Sequence, residues 1–189
     1  MNDFQAEIRK CLEVLSAGGL ILYPTDTILG IGCDATDEKA VKKVRALKAL
    51  PENKPMVCLV GNDAMLERYV EQVPDLAWEI MDLATKPTTL VFDKPRGVAS
   101  GLIAEDGSLA IRVASDKFCR YLINAFKKPI VSTSANIAVM PEPQHFGEIP
   151  AAILKGVDYV VNLHREKGIT LPSSIIALGN DGTVKVIRE

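Results

Sequence analysis

The sequence predicts an α/β fold, a mixed sheet flanked by helices. Its middle alternates short apolar runs of strand length with amphipathic stretches, as when strands and helices take turns along a chain. Its C-terminal part instead holds successive β-branched runs, which favours a mixed sheet over a regular doubly wound one. No internal repeat, low-complexity tract or long linker occurs, so residues 1–189 read as one domain.

Phe4, Ile8, Leu12 and Leu15 recur at three- and four-residue spacing, so the first segment is an amphipathic helix that stops at Gly18-Gly19. Residues 20–23 are too few for a helix and read as a strand. Thr36-Asp37 offers an N-cap for a helix running to about Leu50, where Pro51 ends it. A second buried strand is expected over 56–60, then helices near 63–69 and 74–84. Residues 88–92 are strand-like through β-branched and aromatic content, and 93–101 read as a loop. A strand over 108–113, a helix over 116–126 and a strand over 129–131 follow. After a proline-rich loop at 140–150 come a short helix and strands over 159–162, 175–178 and 184–187.

With 189 residues, 48% of them hydrophobic and 24% charged, the chain can build a real core. No apolar run approaches the ~20 residues that cross a bilayer, and Met1-Asn2-Asp3-Phe4 lacks the start of a signal peptide, so a cytoplasmic location is expected. A net charge of -2 argues against a protein that coats nucleic acid without specificity, while leaving room for local basic patches. Cys11, Cys33, Cys58 and Cys119 show no metal-type spacing and read as reduced, buried thiols. His145 and His164 stand in no ligand-spaced cluster, so neither a structural zinc, nor a resident metal, nor a histidine-based triad is expected.

Two hydroxyl-rich segments each follow an apolar run: Leu-Ile-Leu-Tyr-Pro-Thr-Asp-Thr at 20–27 and Ile-Val-Ser-Thr-Ser-Ala-Asn at 130–136. Each reads as a buried strand whose end carries polar groups into a cleft, and each alone also suits an ordinary strand-to-loop turn. With Lys48, Lys54 and Arg112 between them, the pair points to a polar site. Lys39, Lys42, Arg45 and Lys48 form a stripe opposite Ala40, Val44 and Leu47. Lys39 and Lys42 fit a solvated face, whereas Lys48 and Lys54 flank the turn at Pro51, within reach of a phosphate. Arg112 shares a strand face with Ala110 and Ala114, where it either holds a carboxylate in a bidentate pair or lies on a half-exposed surface. Ser132, Thr133 and Ser134 offer hydroxyls, and the turn expected there adds backbone N–H groups around an anion. No Walker-type motif occurs, and Gly30-x-Gly32 is too short for a dinucleotide fingerprint.

Taken in order, Tyr-Pro-Thr-Asp-Thr at 23–27, Gly-Cys-Asp-Ala at 32–35, Lys54-Pro55, the Ile-Arg-Val around Arg112, Pro-Ile-Val-Ser-Thr-Ser-Ala-Asn at 129–136 and Pro-Ser-Ser at 172–174 carry a resemblance. The chain resembles the YrdC-like threonylcarbamoyl-adenylate synthases over nearly its whole length. The resemblance implies a twisted α/β fold with a large, concave, basic cleft. It implies an activity that joins L-threonine, bicarbonate and ATP, with Mg²⁺, into threonylcarbamoyl-AMP and pyrophosphate for tRNA threonylcarbamoyladenosine modification. It also implies contact with tRNA or double-stranded RNA and transferase proteins that consume the adenylate, with no membrane. By position, Thr27, Arg112, Ser132 and Ser174 fall on the threonine side, and Lys54, Ser108, Ser134 and Arg188 on the nucleotide side. Lys48 and Asn136 match the family's Lys-x-Arg and Ser-x-Asn pairs, so Lys48, Lys54, Ser134 and Asn136 form the expected catalytic set.

Two departures stand out. Where many members have Lys-x-Arg, this chain has Lys48-Ala49-Leu50, and an isobutyl group donates no hydrogen bond. Leu50 is reminiscent of the YciO branch, whereas the intact Ser-Ala-Asn favours the synthases. The Trp-Pro-Gly-Pro-x-Thr element is reduced to Ala84-Thr85-Lys86-Pro87-Thr88-Thr89. The alternatives are therefore a YciO-like paralogue with weak or different chemistry, or an RNA-binding module that holds phosphates. Few aromatic residues and the slightly acidic charge count against the module.

Overall fold

The computed structural model describes residues 3–27, 29–52, 54–163 and 172–189. Helix α1 (Asp3–Ser16) buries Cys11 and Leu15, and the chain leaves it through Gly18, whose φ of 70° suits a residue without Cβ. Strands β1 (Ile21–Tyr23) and β2 (Gly30–Gly32) come next. Helix α2 (Glu38–Lys48) starts where Asp37 Oδ1 accepts from Lys39 N at 2.8 Å and Ala40 N at 3.2 Å. It ends earlier than the expected Leu50, because Ala49 turns left-handed at φ 51° and Pro51 forbids continuation. Then follow β3 (Val57–Val60), α3 (Asp63–Tyr69), α4 (Asp75–Leu83), β4 (Thr88–Phe92), β5 (Leu109–Val113), α5 (Lys117–Phe126) and β6 (Ile130–Ser134). Helix α6 (Ala151–Gly156) and strands β7 (Tyr159–Val160), β8 (Ser174–Leu178) and β9 (Val184–Arg188) complete the chain.

The strands form one nine-stranded sheet in the order β7-β1-β2-β6-β3-β5-β4-β8-β9. Pairs β1/β7, β3/β5 and β4/β8 are parallel and the other five junctions antiparallel, so the mixed sheet expected from the strand-rich C-terminal part is present. Strand β2 was not expected: Gly-Ile-Gly offers one side chain and no alternation to read. The expected turn at 132–134 is also corrected. Ser132 pairs with Val57 of β3, and Thr133 and Ser134 pair with Ile31 and Gly30 of β2. Their backbone lies in ladders, so it does not form the anion cradle.

Directly opposed residues share a sheet face. One face carries Leu22, Ile31, Val131, Cys58, Ile111 and Leu90, all buried. The other carries Tyr23, Gly30, Ser134, Ser132, Val57, Ala110, Arg112 and Val91, many of them small and half-buried. All four cysteines are free and buried, as the sequence suggested.

Gly32 is required by packing. A Cβ there would lie 2.6 Å from Tyr23 Cε1 and 3.0 Å from Val131 O, the carbonyl to which the Tyr23 hydroxyl donates at 3.2 Å. Gly32→Ala should lower stability by about 1–3 kcal/mol through overpacking. Urea titration of the two proteins checks this, and an unchanged midpoint would mean that Tyr23 swings aside freely.

Candidate functional site

Strand β6 ends in Ser134, Ala135 and Asn136, and one buried cation grips that end. Lys48, 2% exposed in the last turn of α2, donates from Nζ to Asn136 O at 2.7 Å, to Asn136 Oδ1 at 2.9 Å and to Ser134 O. Ser134 Oγ donates to Asn136 Oδ1 at 2.7 Å, and Asn136 Nδ2 donates to Met140 O at 2.6 Å. The expectation that Lys48 reaches a phosphate is therefore corrected. An ammonium has three donors, and three protein oxygens take them. Burial pushes the Lys48 amine from its usual 10.5 down to about 8, with Glu142 opposing and Lys54 adding to the shift.

A second cluster forms where the 24–27 loop meets the face of β5. Arg112, 5% exposed, places Nη2 2.9 Å from Asp26 Oδ1 and 3.4 Å from Thr27 Oγ1. Asp26 Oδ2 also accepts from Ser115 Oγ at 2.8 Å, while Thr25 and Thr27 share a hydroxyl hydrogen bond of 3.1 Å. The Arg112 Nε–H is buried and has no hydrogen-bond partner among the described residues. So the guanidinium is neither on a half-exposed surface nor a vacant fork, since Asp26 already holds one of its terminal nitrogens.

The third cluster lies one strand further on. Thr89 Oγ1 and Ser173 Oγ share a hydrogen bond of 2.9 Å, and Arg188 donates to Ser173 O at 2.9 Å. Ser174, placed on the threonine side from the sequence, does not join it. Its register opposite Thr88 turns it to the face of Leu90 and Ile111. There it lines, with Thr88, Ile176 and the α4 residues Leu76 and Ile80, a groove of about 360 Å³. The neighbouring Ser173 faces the side of Thr89 instead, an assignment that strand register reveals and a short Pro-Ser-Ser string does not.

Ser132 and Ser134 share the face of Arg112, but Thr133 points away from it. Ser108 precedes β5, and its hydroxyl donates to Asp106 Oδ1 at 2.6 Å. Four residue steps along the strand separate it from Arg112, roughly 13 Å. Lys54 is exposed in the turn before β3. Asp26, Thr89 and Ser173 were missed in the sequence, although Asp26 lies inside the 23–27 string.

No ready nucleophile sits among these groups. Burial pushes the Cys11 and Cys58 thiols up to about 12 and raises those of Cys33 and Cys119 as well. His145 is exposed, with Nε2 3.1 Å from Glu148 Oε1, and His164 lies outside the described residues. The arrangement is suited to holding anions and carboxylates in place.

Lys48→Met should cost on the order of 1–3 kcal/mol at pH 7 by stranding carbonyl oxygens. Because the folded-state amine is depressed, the native chain loses this proton before the unfolded chain does as pH rises. Between about pH 8 and pH 10.5 the unfolded chain binds more protons, so the unaltered protein should gain stability relative to Lys48→Met across that window. Urea midpoints from pH 7 to pH 10.5 test it, and a flat difference would mean that the three oxygens restore the ordinary amine pKa.

A family profile for Sua5, YciO and YrdC, described as telomere recombination, matches residues 13–189. Threonylcarbamoyl-AMP synthase of Shigella boydii serotype 4 (strain Sb227) is 32% identical over 178 residues, which cover 92% of this chain and 93% of that protein. Escherichia coli YciO superposes with a TM-score of 0.82 at 25% identity, covering 98% of this chain and 89% of its own. P. abyssi Sua5 complexed with L-threonine superposes with a TM-score of 0.79 at 25% identity over 90% of this chain, which spans only 50% of that Sua5. By the extent of the profile match and the identity to the curated synthase, the chain belongs to the Sua5/YciO/YrdC family.

Proposed function

We propose that this protein is an L-threonylcarbamoyladenylate synthase, which makes threonylcarbamoyl-AMP and pyrophosphate from L-threonine, bicarbonate and ATP. The observation that carries the reading is Arg112, a buried guanidinium beside Thr27 with an unpartnered Nε–H. A buried donor of that kind costs free energy unless a ligand completes it, and a carboxylate is the matching acceptor. The synthase name of the Shigella boydii relative and the threonine bound to P. abyssi Sua5 support the same choice.

Arg112 and Thr27 hold the threonine carboxylate and hydroxyl, and Ser132 faces the same pocket. Ser173, with Thr89 and Arg188 behind it, takes the place first given to Ser174. Lys54 and Ser108 lie on the nucleotide side of a basic cleft, together with Ser134 and Arg188. Lys48 and Asn136 shape the end of β6 and act through Ser134. Mg²⁺ arrives with the ATP phosphates, since the described residues hold no group of three or more carboxylate, histidine or cysteine ligands and this ion commonly binds through substrate phosphates.

In the reaction, bicarbonate takes up a proton and loses water to give carbon dioxide. The threonine amine adds to the carbon of carbon dioxide to form a carbamate, and the proton it releases balances the one consumed. A carbamate oxygen attacks the α-phosphorus, the bond from that phosphorus to the bridging oxygen breaks, and pyrophosphate leaves with the bond's electrons. The chain's contribution is orientation of two charged reactants and stabilisation of phosphate charge, which needs no protein nucleophile. The product is a reactive mixed anhydride. Transferase proteins that consume it for tRNA threonylcarbamoyladenosine, contact with tRNA and a cytoplasmic location complete the proposal. No described helix is long and apolar enough to cross a membrane.

Pyrophosphate release should require both threonine and bicarbonate, and threonine-independent release at the same rate would reject the reading. Arg112→Lys keeps a charge but loses the planar fork, so threonine affinity should fall about tenfold or more while ATP affinity stays within about twofold. Equilibrium dialysis with each ligand measures both, and equal loss of the two would remove Arg112 from the carboxylate.

A further inference from the structure

Two segments that lead to the nucleotide side come from distant parts of the chain, and one side chain ties them together. Arg45, half-buried near the end of α2, donates from Nε to Gly101 O at 3.1 Å and from Nη2 to the same oxygen at 2.6 Å. Its Nη1 donates to Pro51 O at 2.7 Å and its Nη2 to Lys54 O at 3.0 Å. All of these acceptors are backbone carbonyls, so the guanidinium fixes chain geometry and balances no carboxylate. Glu38, at the other end of the helix, accepts from Ser100 N and steadies the same 100–102 turn.

The two gripped segments end side by side. Pro51 and Lys54 precede β3 and the 100–108 segment leads into β5, and these strands are parallel neighbours with Cys58 opposite Ile111. Lys54 and Ser108 therefore enter at the same end of the sheet. Leu50, the neighbouring side chain of the turn, packs half-buried against the core and donates nothing.

We propose that Arg45 is a positioning residue for the nucleotide: its guanidinium sets the spacing between Lys54 and Ser108 by holding the carbonyls of Pro51, Lys54 and Gly101 together. This rests on the placement of Lys54 and Ser108 on the nucleotide side in the proposed function. A lysine at position 45 keeps the charge but concentrates its donors at one point, so it cannot span the three carbonyls.

The test compares the unaltered full chain with Arg45→Lys, Arg45→Ala, Lys54→Ala and the Arg45→Lys, Lys54→Ala double variant. Dissociation constants for ATP and for L-threonine are measured by equilibrium dialysis, with urea midpoints alongside. Arg45→Lys should weaken ATP about tenfold and leave threonine within about twofold, and in the Lys54→Ala background its further effect on ATP should stay below about twofold, the non-additivity of residues acting as one unit. Unchanged ATP affinity in Arg45→Lys overturns the proposal. So does an equal loss for ATP and threonine, the mark of a merely loosened fold, or a full tenfold loss that persists without Lys54. If Arg45→Ala does not fold, Arg45→Lys decides. Threonine-dependent pyrophosphate release by the unaltered chain reports on the synthase reading separately, because the dialysis result does not depend on turnover.

Discussion

Strand β6 is the constraint on which the site depends. It is the link between the β7-β1-β2 part of the sheet and the β3-to-β9 part, so both of its edges are committed to ladders. The polar groups it can offer a ligand are therefore side chains, and those that share the face of Arg112 rise from one side. Ser132 and Ser134 do so, and the adjoining strand makes room for them: a Cβ on Gly30 would sit 3.4 Å from Ser132 Oγ and 3.3 Å from Thr25 Cγ2. Glycine at position 30 thus spares a tight contact with Thr25 and leaves Ser132 at ordinary van der Waals distance. The loss of β-propensity that glycine brings is offset by the two flanking strands.

Charge is handled in a similarly local way at Arg112. A buried guanidinium and carboxylate lose much hydration, and their attraction about balances that loss only when the geometry is good, so the Arg112–Asp26 pair is weak evidence for stability. Its consequence is orientation. Asp26 also accepts from Ser115, which anchors the 24–27 loop to the segment after β5 and keeps Thr27 beside the guanidinium. Without Asp26 the arginine would be a buried charge with fewer partners; with it, the remaining Nε–H has a fixed direction.

Much of the fold was legible because burial imposes a period. The stripe of α1 and the apolar runs of β3, β4 and β8 follow from which side chains must leave water, whereas the Asp37 cap of α2 follows from orphan N–H groups and the exposed β9 from its β-branched content alone. Strand β2 escaped because two of its three residues have no side chain to pattern. In the site, residue types were legible but directions were not. Lys48 reads as a cation near a turn, yet whether its amine faces solvent or the end of β6 depends on how α2 packs. Ser173 and Ser174 differ by one residue, and only the pairing of β8 with β4 decides which hydroxyl shares the side of Thr89. Arg45 reads as one more charge on a solvated stripe, because its acceptors are backbone carbonyls, which carry no residue-type signal, and one of them, Gly101, is remote in sequence.

The end of α2 draws these points together. Lys48 and Arg45 sit near the helix C-terminus, where positive charge is favoured by the orphan carbonyls; Arg45 spends its donors on backbone oxygens of other segments, and Lys48 on two backbone oxygens and the Asn136 side-chain oxygen. Cations that touch backbone fix distances, and fixed distances are what a reaction without a protein nucleophile needs from its scaffold. The thiols are buried and poorly ionised, and the described residues hold no metal-binding cluster. In the proposed reaction, rate enhancement comes from aligning a carbamate oxygen with a phosphorus atom, and a displacement of about 1 Å in either subsite costs on the order of a hundredfold. One short helix thus grips the end of β6 beside Ser134 with Lys48 and the entries to β3 and β5, beside Lys54 and Ser108, with Arg45, which ties together three segments of the proposed nucleotide side. The two grips lie three residues apart, almost one turn, on a single rigid element.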